Sequence, residues 1–299
     1  MYLCTPMSKI VSINPKEVST VALQGYLLGA VGPRPIALAS TLNREGVPNL
    51  APFSFFNVFS SNPPILIFSP ARRVRDNSTK HTLQNVLDTK EVVINVVNYD
   101  MVQQTSLAST DYAEGENEFV KAGFTMLASA IVNPFRVAES PVQFECKVTK
   151  IEPLGTNGGA GNLIFSEVLR IHIHADVLGA QGSIDPYKID LVARMGANWY
   201  SRAKTGLFEV PKPLSTAGIG FDGIPTRIRL SRVLTGNDLG MLANVAQVPT
   251  ADEIHQFVTE NTEIQSIIST YNETQLHLKA QDYLQKKDVL SAWKVLLSN

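Results

Sequence analysis

The chain has 299 residues, 44% hydrophobic and 18% charged, with a formal net charge of −1. This is the composition of a soluble globular protein with enough length for one large core or two smaller ones, and not of a disordered chain. The near-neutral balance offers no grip on nucleic acid or anionic lipid, the longest apolar runs (65–68, for example) are too short to span a bilayer, and Cys4 and Cys146 are too few for a disulfide framework. Residues 1–10 lack a signal-peptide pattern, so a reducing cytoplasm is the expected setting, with neither nucleic acid nor membrane as partner.

Residues 14–30 carry Val18, Val21, Leu27 and Ala30 at mostly helical spacing, with Pro15 suited to a first turn and Gly29 and Gly32 near the end. This predicted helix delivers the chain to Arg34, which, if buried, needs an anionic partner or several acceptors; the plain alternative is a surface arginine beside turn prolines. Three short strands follow over 36–42, 49–56 and 65–69, separated by Asn43-Arg44-Glu45-Gly46 and by the Pro63-Pro64 corner. Pro52 removes a ladder hydrogen bond, so it marks an edge, a bulge or a bend. The small residues Ala37, Ala39, Ser40 and Thr41 leave room for something flat beside the backbone, although composition alone favours an ordinary β-barrel core.

A basic cluster, Arg72, Arg73 and Arg75, precedes Asp76-Asn77-Ser78-Thr79, which can cap a helix with Leu83, Val86 and Leu87 as its apolar face. Such a helix N-terminus suits a phosphate, with Lys80 as a mobile cation and Thr82 as a hydroxyl donor; by itself the stretch reads more readily as a solvated basic loop. Residues 91–97 predict a strand buried on both faces, 101–109 a helix, 112–118 an acidic loop, and 142–153 and 162–175 two long strands. The glycine-rich run 155–161 lies between strands, so it is a hairpin connection; a dinucleotide fingerprint needs a helix directly after the glycines. His172, His174 and Asp176 alternate on the second long strand, but a metal site needs several converging ligands, so a polar solvent or interface face is favoured and no metal is expected. In Arg194-Met195-Gly196-Ala197-Asn198-Trp199-Tyr200 the glycine permits close backbone approach, Arg194 and Tyr200 offer polar tips, and Trp199 and Tyr200 read alternatively as core anchors.

Pro211-Lys212-Pro213 is a stiff linker that sets a boundary between residues 1–210 and 211–299. Beyond it Thr250-Ala251-Asp252-Glu253 forms a capping box ahead of Ile254, Phe257 and Val258. Ile264, Ile267, Ile268 and Tyr271, then Ala280, Tyr283 and Leu284, then Leu290, Trp293 and Leu297 supply further apolar faces. Helices this amphipathic are expected to cap a core or build an interface; residues 218–244 take no assignment.

Arg34-Pro35-Ile36-Ala37, Asn49-Leu50-Ala51-Pro52-Phe53-Ser54-Phe55-Phe56 and Asn62-Pro63-Pro64, followed by Lys80-His81-Thr82-Leu83, Phe144-Glu145-Cys146 and Arg194-Met195-Gly196, resemble in order and spacing the flavin reductase-like family of FMN-binding split barrels. The likeness ends at that last motif and leaves the helical region aside. It implies a mainly β fold with flanking helices, a split β-barrel over residues 1–210, and a helical C-terminal extension over 211–299. It implies FMN as cofactor, NADH or NADPH as co-substrate, and hydride transfer to flavin with electrons passed to a small-molecule acceptor or a partner oxygenase. It also implies a homodimer with the flavin near the subunit boundary. The flavin-binding residues it implies are Arg34, Ser40, Thr41, Asn49, Ala51, Pro52, Phe53, Ser54, Phe55, Phe56, Ser69, Lys80, Thr82 and Arg194. Lys80 and Thr82 would hold the phosphate, and backbone N–H groups around residues 53–56 would meet the ring system. His81 departs from the acidic residue expected there. Hydride transfer to flavin has no obligatory acid or base, so no catalytic side chain is expected. The competing class is an FMN carrier or sensor without nicotinamide turnover. A hydrolase is disfavoured by the lack of a Gly-x-Ser-x-Gly elbow and of a Cys-x-x-Cys.

Overall fold

A computed structural model describes residues 10–113, 115–210, 217–270 and 272–298, and the chain divides into two compact units, Ser12–Phe208 and Glu209–Asn299. Cys4, the Pro211-Lys212-Pro213 linker and Tyr271 lie outside the described residues. Among the described residues no helix is long and apolar enough to cross a membrane.

The first unit is mainly β. Helix α1 (Thr20–Ala30) leads into β1 (Ala37–Leu42), β2 (Pro48–Phe53), β3 (Phe56–Ser61) and β4 (Pro64–Phe68), then α2 (His81–Thr89) and β5 (Glu91–Val96). Short helices α3 (Val102–Leu107) and α4 (Glu118–Ala122) and the small ladder β6 (Met126–Leu127) with β7 (Arg136–Val137) precede the long hairpin β8 (Val142–Pro153) and β9 (Asn162–Ile173). Helix α5 (Pro186–Ile189) and the hairpin β10 (Val192–Arg194) with β11 (Tyr200–Arg202) close the unit. Seven strands form one sheet in the order β2-β1-β5-β8-β9-β4-β3, antiparallel throughout.

The reading of 49–56 as one strand is corrected: the chain breaks after Phe53, and its two halves go to opposite ends of the strand order, β2 onto β1 and β3 onto β4. Pro52 sits on β2, an outer strand, where a residue without an N–H costs no ladder bond. The room beside the small residues of β1 is also accounted for. Ala37 and Ala39 are fully buried in one core cluster with Phe53, Phe68, Val92, Ile94 and Ile164, with Phe53 and Phe68 ring centroids 5.4 Å apart. Strand β5 is buried as expected, and its polar Asn95 is satisfied by the Leu38 carbonyl and the Val137 N–H, both at 2.9 Å.

Helix α1 begins at Thr20, capped by Ser19, not at residue 14, and none of its residues is buried although most are apolar. The proposed cap of α2 by residues 76–79 is not made: the N-cap is Lys80 without a side-chain cap bond, and Asp76 turns to Ser78. Leu83 and Val86 are buried while Leu87 is exposed. The glycine-rich run is the β8–β9 connection, and it buttresses the basic stretch: Arg72 N–H donates to Ala160 and Gly159 N–H to Arg72, at 2.8 and 2.9 Å. A Cβ at Gly158 would stand 3.0 Å from the Arg73 carbonyl oxygen, so only glycine lets the two backbones come this close.

The second unit encloses a core of its own, formed by the apolar faces of its helices. Helices α6 (Thr226–Arg229), α7 (Gly236–Ala243), α8 (Ala251–Thr259), α9 (Thr262–Ser269), α10 (Glu273–Gln285) and α11 (Val289–Leu296) bury Ile224, Ile228, Leu242, Ile264, Leu284 and Trp293 in one cluster. The unassigned segment 218–244 supplies α6 and α7 and much of that core. The expected capping box of Thr250 with Glu253 is formed, and Thr235 with Asp238 makes a second one in the unassigned segment.

Candidate flavin site

Two clefts meet at Pro52 and Ser109, which line both. The first runs from Ala51 and Phe53 of β2 to Arg73, Lys80, His81 and Thr82, and is closed on its other side by the stretch 108–112 and by Glu118. The second is lined by Ile36, Ser54, Thr105 and Ser106 and by the β10–β11 hairpin through Arg194, Asn198 and Tyr200.

The cationic end of the first cleft is built by the corner after β4. Asp111 accepts from Arg73 Nη2, Lys80 Nζ and Arg75 Nη2, each at 2.8 Å. The Arg73 and Lys80 hydrogen bonds hold its carboxyl far below the usual range and outweigh the opposing effect of burial. Arg73 is pinned separately, its Nη1 donating to Ser78 Oγ and to the Thr79 carbonyl at 2.9 Å, and its buried Nε has no partner.

Behind the cleft the predicted site residues form a buried polar lattice. Asn49 Nδ2 donates to Thr82 Oγ1 at 2.9 Å and to Thr41 Oγ1 at 3.3 Å, and Asn85 Nδ2 donates to Thr41 at 3.0 Å. Ser40 is fully buried and its hydroxyl has no partner. Phe53 packs into the barrel, Ser69 accepts from the Asn162 N–H at 3.0 Å, and Phe56 joins the core edge while Phe55 stays exposed. Arg34 is buried, and its guanidinium donates to the carbonyls of Leu28, Val31 and Met195. Several acceptors, not an anion, therefore satisfy it. Burial, and next the nearby Arg194 charge, lower its pKa.

Of the fourteen implied residues the structure thus brings Asn49, Ala51, Pro52, Phe53, Lys80 and Thr82 to the first cleft and Pro52, Ser54 and Arg194 to the second. Arg194 stacks 4.6 Å from the Tyr200 ring centroid and donates to Ala197. Trp199 is 75% exposed and is no core anchor; Gly196 instead packs against Gly29, where a Cβ would come within 3.1 Å. Asp111 carries no sequence signal, while Ser109 and Glu118 fall at the ends of the predicted helix 101–109 and the acidic loop 112–118 without a site role assigned to them. Glu118 accepts from the Leu50 N–H at 3.0 Å and so covers a donor of the outer strand β2; burial pushes its pKa up. His172 does not alternate with His174 and Asp176 on a metal-binding face. It lies 2.6 Å from the buried Glu145, while Asp176 sits in the 3-10 turn Ala175–Val177. Among the described residues no group of three or more His, Cys, Asp and Glu is placed to hold a metal ion.

The donor set fits a phosphate monoester. Three cations, Arg73, Arg75 and Lys80, converge on the single carboxylate of Asp111, while Arg72 is turned to Asn77. A phosphate monoester carries about −1.5 to −2 at neutral pH.

The antiparallel sheet, with β2 and β3 at the two ends of its strand order, is that of a split barrel. Residues 30–190 match the profile of the flavin reductase like domain, and the chain belongs to that family. Its members are typically flavin-binding oxidoreductases. A protein of Aquifex aeolicus is 37% identical over 188 residues, 63% of this chain and 93% of that protein. The crystal structure of nitrilotriacetate monooxygenase component B from Bacillus cereus is similar with 26% identity and a TM-score of 0.63, over 69% of this chain and 99% of that one. That of 2-nitrobenzoate 2-nitroreductase from Pseudomonas fluorescens follows with 26% identity and a TM-score of 0.58, over 70% and 100%. The family match ends before the helical unit begins.

Proposed function

We propose that the chain holds FMN in the joined clefts and is an NAD(P)H-dependent flavin reductase. The observation that carries this reading is the convergence of Arg73, Arg75 and Lys80 at one end of a cleft walled by β2. The chemistry a bound flavin supplies is uptake of a hydride from a nicotinamide and onward delivery of electrons. Lys80 and Arg73 hold the phosphate by charge-assisted hydrogen bonds. The Asn49–Thr82–Thr41–Asn85 lattice fixes the floor, Ala51, Pro52 and Ser54 present backbone to the ring system, and Arg194 with Tyr200 forms the far wall. Phe53 lines the first cleft as well, and Arg34, Ser40 and Ser69 act from behind these groups. The compact cationic corner, without a Rossmann element for an adenylate, favours FMN over FAD.

The working unit in this proposal is a homodimer. Helix α1 is apolar on all sides yet has no buried residue, with Val21, Tyr26 and Leu27 exposed. A helix of that kind belongs under cover. Leu169, Ile171 and Ile173 of β9 are exposed as well, and a second copy seated on α1 would bring the boundary beside Gly196, which packs against Gly29. The names of the structural relatives indicate an onward acceptor that is either a small nitroaromatic or a partner oxygenase. The free, buried Cys146 suits a reducing cytoplasm.

A visible spectrum of the purified protein, recorded anaerobically before and after NADH or NADPH, tests the reading. Flavin bands that bleach on addition support it. Bound flavin that no nicotinamide bleaches makes the protein a carrier or sensor, and no flavin bound at any concentration removes the cofactor assignment. Light scattering tests the dimer: a flavin-loaded species of one chain's mass, 32.7 kDa, overturns it.

A further inference from the structure

Asp111 places a carboxylate where an anionic ligand of this corner would put its own oxygens. One oxygen, Oδ1, takes both Arg73 Nη2 and Lys80 Nζ, and Oδ2 takes Arg75 Nη2. Two roles compete for such a residue: it organises the cations for a ligand, or it occupies them until a ligand takes over. The other contacts of the two arginines favour the second role. Arg73 is fixed through Nη1 by Ser78 and Thr79, and Arg75 is paired through Nε with Asp76 at 3.0 Å, so neither needs Asp111 to stay in place. Asp111 is carried on a stretch without helix or strand between α3 and α4, and its side chain is 36% exposed. Its carboxylate is thus carried by irregular chain and partly open to solvent, whereas Arg73 is pinned from elsewhere.

We propose that Asp111 is an internal substitute for the phosphoryl group, displaced when a phosphate-bearing ligand binds, and that it sets the selectivity of the cleft for dianionic phosphate over weaker anions. The inference rests on the flavin reading for the ligand but not for the anion chemistry. A dianion offers three oxygens to the three cations and gains more from them than one carboxylate does. A monoanion, or a flavin without phosphate, gains too little to displace it. Asp111 is a positioning and selectivity residue here; it takes no part in electron transfer.

The test compares wild type with Asp111→Asn, Asp111→Ala and the control Asp76→Asn, using FMN and riboflavin titrations and thermal protection by inorganic phosphate. Both Asp111 variants should bind FMN about tenfold more tightly, since they release contacts that are individually modest because solvent reaches them. Riboflavin affinity should not change, and half-maximal protection by inorganic phosphate should fall by a similar factor. Unchanged or weaker phosphate protection in both variants overturns the proposal. A gain in the Asn variant alone also overturns it, because the new amide would then be the donor. An equal gain from Asp76→Asn overturns it too, since a mere change of net charge would explain both. If wild type binds neither flavin, the flavin reading fails while the phosphate arm still decides the role of Asp111.

Discussion

Arg34 Nη2 donates to the Met195 carbonyl oxygen at 2.8 Å, across 161 residues of chain. The same guanidinium ties down the end of α1 through Leu28 and Val31, and the backbones of Arg34 and Arg194 exchange N–H bonds at 2.9 and 2.8 Å. One side chain therefore holds together α1, the entry to β1 and the hairpin that walls the second cleft. Arg34→Ala leaves three part-buried carbonyls without this donor and should cost about 1–3 kcal/mol of stability. Urea unfolding checks the loss. Flavin affinity of the folded fraction should change far less, and a large loss of flavin with stability intact would return Arg34 to direct contact.

Elements whose hydrophobic pattern is local were legible in the sequence. β5, β8 and β9 announce themselves by runs of β-branched and apolar residues, and the Thr250-to-Glu253 capping box by its spacing. The break at Ser54 was not legible, because sending β2 and β3 to opposite ends of the sheet depends on partners far along the chain. Asp111 was missed for a related reason: its partners lie 31 to 38 residues earlier in sequence, and a single acid in a polar loop carries no pattern. The small Ala37 and Ala39 of β1 fit a flat ligand or a barrel core equally by size, and Phe53 and Phe68 of the core pack against them. Size alone does not say what occupies the neighbouring space.

Lys80 is tied by its ammonium to Asp111 and lines the first cleft. Lys80→Ala should weaken FMN retention by about 1.5–3 kcal/mol, on the order of tenfold to a hundredfold in Kd, with riboflavin affinity little changed. Titration of both flavins checks it. Equal weakening for the two would mean the residue supports the cleft's shape and does not meet a phosphate.

Ser54 lies between β2 and β3 and lines the second cleft. If its backbone N–H meets the ring system, Ser54→Ala should retain most bound flavin while Ser54→Pro, which removes the donor, should lose it. Flavin content of the two purified, folded variants decides. Similar loss in both would shift the contact to the hydroxyl.

Glu145 is fully buried, and burial alone would raise its pKa. The N–H groups of Ala130, Ile131 and Val132, with His172, outweigh that effect and bring it down to about 2. A folded value below the unfolded one means that the unfolded chain binds more protons between the two. Stability from Glu145 is therefore present above the ordinary carboxylate range and lost as pH falls towards 2, about 3 kcal/mol in all. Urea midpoints measured from pH 6 down to pH 3 should fall in wild type. Glu145→Gln should be less stable at pH 6 and show a shallower decline. Parallel declines in the two proteins would assign the acid sensitivity to other carboxylates.

Trp293 and Trp199, the chain's two tryptophans, sit in opposite environments, the first fully buried and the second largely exposed. Trp293 packs at the centre of the helical core and its Nε1 donates to the Leu242 carbonyl at 3.1 Å. Because the two units have separate buried clusters, damage to one core should stay in its own unit. We expect residues 211–299 to behave as a domain distinct from the barrel. Trp293→Ala should cost the helical unit about 4 kcal/mol through the cavity and the orphaned carbonyl. Hydrogen exchange followed by mass spectrometry resolves where that cost falls. Peptides from α7, α10 and α11 should exchange faster in the variant, while those from β5 and β8 keep their protection. In a Trp199→Phe background, emission reports Trp293 alone, so its denaturation curve should track the helical peptides and not the sheet. Loss of protection in β5 and β8 to the same degree as in α10 would show one cooperative unit, and the division of the chain into two domains would not stand.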